Sequence, residues 1–414
     1  MQGSRDFDKR AVPMGNLSKG PLAGIRVLEL GTMVAGPFTG TLLADFGAEV
    51  IKIEQPQTGD PMRHIGPYVK GESLWWNVEA RNKQSVCLDL HLTEGKQVLK
   101  ELVTHVDVLI ENFRPGTMAK WGLSYEVLKE LNPKLVMASV SGYGQHGPYS
   151  ERPAYDRIAQ AFSGLLNTTG FPDRPPVRPG IPIADYGTGV FAAFSIMMAL
   201  YHRDTSGGEG QHLDIAMYES MLRLTDSMVT AFDSLGVSRE RTGNLNRNAS
   251  PGDHFETSDG RFVVITVSSD ALFARLCRAM QREDLITDER FAVHDARAER
   301  LVEINQIVGQ WIRSQTAEQV CARLELAQQP HSLIYNVSEM LSDPHYIARE
   351  SIVTVEHPRM GPLKMPGVVP RMQGTPAPPI KAAPLLGEHT EEVLRTLLGK
   401  SEKEIEQLRH AGVV

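Results

Sequence analysis

From Pro21 onward, short apolar runs alternate with amphipathic stretches. The runs IRVLEL (25–30) and AEVIKIE (48–54) are β-prone, and GTMVAGPFTGTLLADFG (31–47) between them reads as a loop and then a helix. The alternation continues with a strand at SVCLDL (85–90), a helix over Thr93–Val103, and a strand at DVLIENF (107–113). A helix near Tyr125–Leu131 and a strand at LVMASVSGY (135–143) follow. Repeated strand–helix–strand units predict a doubly wound α/β domain with a parallel sheet and right-handed crossovers.

Turn residues then cluster in GQHGPYSERP (144–153) and GFPDRPPVRPGIP (170–182), on either side of a helical stretch, AYDRIAQAFSGLLNTT. In IPIADYGTG (181–189) a β-prone run stops at Asp185, a Gly-x-Gly pair follows, and a helix is predicted from Val190 to His202. Asp185 there is either a helix cap or an exposed nucleophile on a strand-to-helix turn. A charged glycine loop (202–211) and HLDIAMYESMLRL come next. The polar, Arg- and Asn-rich stretch over 226–252 reads as a linker. Beyond it HFETSDGRFVVITV (254–267) predicts a hairpin turning at Asp259-Gly260. Helices are expected over Asp270–Met280 and Arg297–Ala327, strands over 353–367, and a helix pair over 390–409 after a Pro-rich stretch. The expected domains are a tail (1–20), a large domain (21–225), the linker (226–252), a small domain (253–340) and a C-terminal segment (341–414).

Composition narrows the function classes. A chain of 414 residues exceeds what one core usually spans. A net charge of -7 argues against a nucleic-acid backbone binder. The polar N-terminus has no apolar signal-like core, and the apolar run VFAAFSIMMALY is short for a bilayer span. A cytoplasmic protein without membrane or nucleic-acid partners is expected. Cys87, Cys277 and Cys321 are far apart, so they predict neither disulfides nor a metal site and read as small buried apolar residues.

Gly31, Gly36 and Gly40 follow the first strand and Glu54 ends the second, but the spacing is G-x4-G-x3-G and Pro37, Met33 and Phe38 crowd it. That is not a dinucleotide fingerprint, and no NAD is expected. The loop still opens a helix and offers backbone N–H groups to an anion. No phosphate-loop lysine, HExxH or GxSxG motif occurs, and His64, His105 and His146 read as ordinary polar residues.

Several long segments in one order carry a resemblance: PLAGIRVLELGTMVAGPFTGTLLADFGAEVIKIEQPQTGDPMR, ARNKQSVCLDL, ENFRPGTMAKWGL, LNPKLVMASVSGYGQHGPY, PAYDRIAQAFSGLLNTTG, PVRPGIPIADYGTG and APLLGEHTEEVLRTL. Together they resemble the class III CoA-transferase family, the group around formyl-CoA:oxalate transferase, carnitine CoA-transferase and bile-acid-inducible protein F. The resemblance implies a Rossmann-like large domain completed by the C-terminal segment, a smaller α+β domain, and an interlocked homodimer. It implies coenzyme A thioesters as co-substrates, a carboxylic acid as acceptor, and no metal.

The resemblance makes Asp185 the covalent nucleophile; beside it, Gly187 and Gly189 are expected to let the backbone come close to the reacting atoms and supply N–H groups to oxyanions, or simply to turn the chain. Its CoA contacts map onto Val34, Ala35, Gln55, Leu88, Asp89, Leu90, His91, Asn112, Phe113, Arg114, Lys120, Ala154, Tyr155 and Asp156. Arg114 and Lys120 suit phosphates by charge. Two departures stand out: Gln55 replaces a basic residue, and LNRNASPGDHF stands where one branch has a glycine-rich loop.

An aspartate suits the chemistry because an enzyme carboxylate becomes activated when acylated and can then hold CoA as a thioester. The resembling α-methylacyl-CoA racemases use a His-Asp pair, and here Tyr155 stands in the His place. A phenol of pKa about 10 is a poor α-proton base at neutral pH. A non-catalytic CoA-binding chain is expected to have lost the Asp185 stretch, which is intact. Arg174, Arg178, Arg247 and His254 are candidates for a second carboxylate of the acceptor, against a plain reading as solvated surface groups.

Overall fold

Six parallel strands form the main sheet: β1 (Arg26–Glu29), β2 (Glu49–Glu54), β3 (Lys83–Cys87), β4 (Val108–Glu111), β5 (Val136–Ser141) and β6 (His212–Ala216). Their order is 3-2-1-4-5-6, that of a Rossmann sheet. The structure is a computed structural model and describes residues 20–414. The tail expected over 1–20 therefore lies, but for Gly20, outside the described residues.

Successive strand residues feed opposite faces, and both faces are covered. Leu28, Ile51, Leu109 and Met137 pack under the Thr93–Val103 helix and the C-terminal helices Thr390–Leu398 and Glu402–His410. Val27, Val50, Val108 and Val136 pack on the other face with helix α1 (Ala35–Asp45) and helix α2 (Ile183–Ser206). Burial on both faces is why apolar residues occupy adjacent positions in these strands, such as Val27 and Leu28, Val50 and Ile51, or Val108, Leu109 and Ile110, rather than alternating with polar ones.

The chain divides into two units. Among the described residues, the first contains those up to 165 with 179–227 and 349–414; the second contains 166–178 and 228–348. The segment 228–252, read from sequence as linker, clusters with the second unit and opens with a helix, Met228–Leu235. The second unit has its own core around Phe273, Leu276, Ile304 and Val308, under an antiparallel three-stranded sheet. The expected hairpin is part of that sheet, pairing Gly252–Glu256 with Phe262–Thr266.

Two local readings are corrected. Residues 183–189 are not a strand and turn: α2 begins at Ile183 and runs 24 residues, so Asp185 stands in its first turn. Pro182 is the N-cap residue and offers no side-chain cap. The Asp156 carboxylate supplies one instead, accepting the Ala184 N–H at 2.8 Å. Strand β6, not assigned from sequence, follows the charged glycine loop. By length and composition α2 could cross a membrane. Ala184, Ala192, Ile196, Ala199 and Leu200 are nevertheless packed into the sheet core.

Candidate active site

Strand order reverses between β1 and β4, and a crevice opens beyond their carboxyl ends, where open α/β sheets bind ligands. A cleft of about 340 Å³ lies there. Thr32–Ala35 follow β1, Asn112–Pro115 follow β4, Val140–Gly142 end β5, and Met217 follows β6; all line the cleft. Arg152–Tyr155 and Asp185 close its other side.

The loop after β1 is held from beneath by buried charge. Lys52 pairs with Asp60 at 2.8 Å and with Glu29 at 3.4 Å, and Lys83 pairs with Glu29 at 2.9 Å, all essentially inaccessible to solvent. Burial alone would lower the Lys52 pKa, but Asp60, Glu29 and Glu54 together hold it above the usual lysine value. Asp60 accepts the Met33 and Met62 N–H groups, at 3.2 and 2.8 Å, and the Lys52 ammonium donates to the Gly31 carbonyl. Met33 takes a φ of +65°, a conformation an L-residue adopts only when its surroundings impose it. From above, the Asn112 amide grips the Thr32 peptide on both sides, accepting its N–H at 2.7 Å and donating to its carbonyl at 2.8 Å. This fixed loop delivers the amino end of α1 to the cleft, with no side chain capping it. Such an end favours an anion.

Asp185 is only partly buried and opens on the cleft. Burial and then the charge of Asp156 push its carboxyl up to about 7. The first-turn position favours the anion, so the group is poised between its two forms near neutral pH. Beside it, Tyr186 donates to Glu79 at 2.9 Å and accepts from the Trp75 indole at 3.0 Å, which anchors the first turn of α2.

The glycines after Asp185 serve packing. A Cβ on Gly187 would stand 2.5 Å from the Met221 methyl, and one on Gly189 would stand 2.7 Å from the Phe38 ring. Both lie inside α2, where their N–H groups belong to the helix ladder. The expectation that they turn the chain and face an oxyanion is therefore corrected: they let α1 and the residues after β6 approach α2 closely.

Of the other residues singled out from sequence, Val34, Ala35, Asn112, Phe113, Arg114, Ala154 and Tyr155 line the Asp185 cleft. Gln55, Leu88, Asp89, Leu90, His91 and Lys120 do not. They lie at and beyond the carboxyl ends of β2 and β3 and on the helix after Arg114. An aromatic chain joins the two groups: the Phe113 and Trp121 rings are 5.1 Å apart, and Trp121 and His91 5.7 Å. Leu88 and Leu90 are buried in the sheet core, so their side chains face the protein interior. Asp89 holds His91 through its N–H and ring nitrogen, each at 2.9 Å, and is hydrogen-bonded by Gln55. Asp156 is committed to the α2 cap and to Gln160, at 2.6 Å.

Sequence reasoning missed Arg152, Ser141 and Met217 in the cleft; the alternation of His212, Leu213, Asp214 and Ile215 is the signal that announces β6 and hence Met217. Arg174, Arg178, Arg247 and His254 belong to the second unit, and none lines this cleft. Among the described residues no cluster of three or more His, Cys, Asp or Glu side chains could hold a metal.

A Rossmann-order sheet with a carboxylate facing its switch point marks a ligand-binding crevice. The profile of CoA-transferase family III matches residues 22–390, and the chain belongs to that family. It is 47% identical over 395 residues to the succinyl-CoA–D-citramalate CoA-transferase of Chloroflexus aurantiacus, covering 95% of this chain and 98% of that one. It is 38% identical to the succinate–glutarate CoA-transferase of Agrobacterium fabrum, covering 92% and 96%. The solved structure of a CaiB/BaiF family protein from Brucella suis superposes with a TM-score of 0.82 at 32% identity, covering 92% of this chain and all of that one. The protein is a CoA-transferase and takes CoA thioesters as co-substrates.

Proposed function

We propose that this enzyme moves CoA from a succinyl-CoA-type donor to a free dicarboxylic acid, with Asp185 as the covalent carrier. The observation that carries the reading is the Asp185 carboxylate, open on a cleft at the sheet's switch point and raised toward neutral pH. The relatives' names, which specify succinyl-CoA, citramalate and glutarate, supply the substrate class.

The Asp185 anion attacks the donor thioester carbonyl; the C–S bond breaks, CoA leaves as thiolate, and an acyl–aspartyl anhydride remains. The thiolate attacks the aspartyl carbonyl, releasing the donor acid as carboxylate and leaving an aspartyl-CoA thioester. The acceptor carboxylate attacks that thioester and displaces the thiolate, which then takes the new acyl group and frees Asp185. No net proton moves, and each step exchanges one activated carboxyl for another. A raised pKa makes the anion more basic and so more nucleophilic. The anhydride needs a site poor in water, which the partial burial of Asp185 supports.

CoA extends from Asp185 over Asn112 and Phe113 toward Trp121 and His91. Arg114 and Lys120 meet its phosphates, and the free amino end of α1 at Val34 and Ala35 meets a carbonyl or thiolate. Asn112 acts as a positioning residue through Thr32, and Asp156 through the α2 cap. An exchange screen of acyl-CoAs against free acids, read by mass spectrometry, tests the reading. Wild type transfers CoA to dicarboxylic acids and Asp185→Ala does not. Racemisation of a 2-methylacyl-CoA without transfer to any acid would overturn it.

A further inference from the structure

Arg114 and Arg152 line the Asp185 cleft, both are exposed, and among the described residues no carboxylate pairs with either. This contrasts with the chain's inward-facing arginines: Arg63, Arg81, Arg203 and Arg297 each hold an acidic partner. An exposed cation beside a cleft that acts on carboxylic acids is available to a ligand anion.

The two arginines sit on different pieces of the fold. Arg114 follows Phe113 on the stretch that leads through Trp121 toward His91, away from Asp185. Arg152 lies on the stretch that leads to Asp156, the residue bonded to the first turn of the Asp185 helix. That stretch is pinned at two points. Ala154 rests so closely on Gly142 that a Cβ there would come within 2.2 Å of the Ala154 methyl, and Asp156 is fixed by the cap.

The Arg152 guanidinium lies 3.6 Å from the centre of the Tyr149 ring. Tyr149 belongs to an aromatic cluster with Tyr143, Phe162 and Tyr218. Stacking occupies the flat face of the guanidinium and leaves the N–H fork at its edge free. A fork held in this way matches a carboxylate with two parallel hydrogen bonds at little further cost in side-chain freedom.

We propose that Arg152 binds the remote carboxylate of the acyl group and is the residue that makes the enzyme select dicarboxylic over monocarboxylic acyl chains. The inference rests on the Asp185 reading above. One carboxyl of the substrate reacts at Asp185 and the other docks on Arg152. Because donor and acceptor acyl groups use the cleft in turn, both ends of the exchange are selected by one side chain.

The test compares succinyl-CoA with butyryl-CoA, which has the same chain length but no remote carboxylate, in wild type, Arg152→Gln and Arg152→Lys. Loss of a charge-assisted bidentate contact should lower the succinyl-over-butyryl ratio of kcat/KM by about 10- to 100-fold in Arg152→Gln. Arg152→Lys, which keeps the charge and loses the fork, should fall between that variant and wild type. Equal losses on both thioesters, or a parallel loss of affinity for free CoA, would overturn the assignment and place Arg152 on the coenzyme. A ratio unchanged in Arg152→Gln would overturn it as well. Transfer by Asp185→Ala protein is a separate result that sinks the Asp185 reading itself.

Discussion

Replacing Asp185 by asparagine should abolish transfer and, at alkaline pH, stabilise the protein. The carboxyl is pushed up from 3.8 to about 7 by burial and then by Asp156. A raised carboxyl pKa favours the folded state only while the group is protonated. Its contribution is complete below pH 3.8 and is lost as pH rises through 7. Above that pH the folded chain holds an anion that the unfolded chain would hold at lower free energy. The full displacement corresponds to about 4 kcal/mol, at ~1.4 kcal/mol per factor of ten in proton affinity. The cleft admits solvent, and screening cuts this roughly in half, to ~2 kcal/mol. Asparagine keeps the shape and cannot ionise, so the relief should grow from a little under half of that value at pH 5, where the unfolded carboxyl is already largely ionised, to the whole of it at pH 8.5. Urea unfolding of both proteins at one concentration, at the two pH values, measures it. The Asp185→Asn variant is expected to be more stable than wild type at pH 8.5, by a margin larger than at pH 5. Equal differences at the two pH values, or a net loss at pH 8.5, would show that the carboxyl is not desolvated and refute the reasoning.

The same pKa predicts that kcat/KM rises with pH through about 7, because only the anion attacks. Asp156→Asn keeps the oxygen that caps Ala184 and removes the charge, so the acid limb of that profile should move to lower pH; an unmoved limb contradicts the coupling. Asn112→Ala removes both hydrogen bonds to the Thr32 peptide, at a cost of about 1–3 kcal/mol. Calorimetric titration should then show weaker CoA binding, and unchanged affinity would detach the loop from the coenzyme. Gly189→Ala gains up to about 1 kcal/mol of helix propensity but forces a methyl against Phe38 and the Ala35 carbonyl. Overpacking costs about 1–3 kcal/mol, so the thermal midpoint should fall; a rise would mean that α1 yields freely.

The first five sheet strands were legible in the sequence because burial on both faces leaves short, β-branched-rich apolar stretches between helical ones. Edge strand β6 was not, since its only signal is a four-residue alternation of exposed His212 and Asp214 with Leu213 and Ile215, directly after a glycine loop. The run at 181–184 was misread for a nonlocal reason. Isoleucine and proline favour strand locally, but the cap that starts the helix there comes from Asp156, 28 residues earlier in the chain. The glycines after Asp185 looked like a turn for the same reason: a tight helix–helix contact asks for the same residue. Motif resemblance located much of the cleft because its residues follow β1 and β4 in short contiguous stretches. It did not point to Arg152, whose distinction lies in what surrounds it: an aromatic ring beneath, an open cleft beside, and no acidic partner among the described residues. Nor could the apolar reading of IRVLEL and AEVIKIE reveal that Glu29 and Lys52 form a buried ion network. Only the fold brings them beneath the loop whose shape they impose.

The most direct test of the covalent account is trapping on the enzyme. Wild-type protein incubated with succinyl-CoA and then treated with hydroxylamine should carry a hydroxamate, and peptide mapping by mass spectrometry should place it on Asp185 alone. A hydroxamate on another carboxyl, or continued CoA transfer with Asp185 unmodified throughout, would contradict the account.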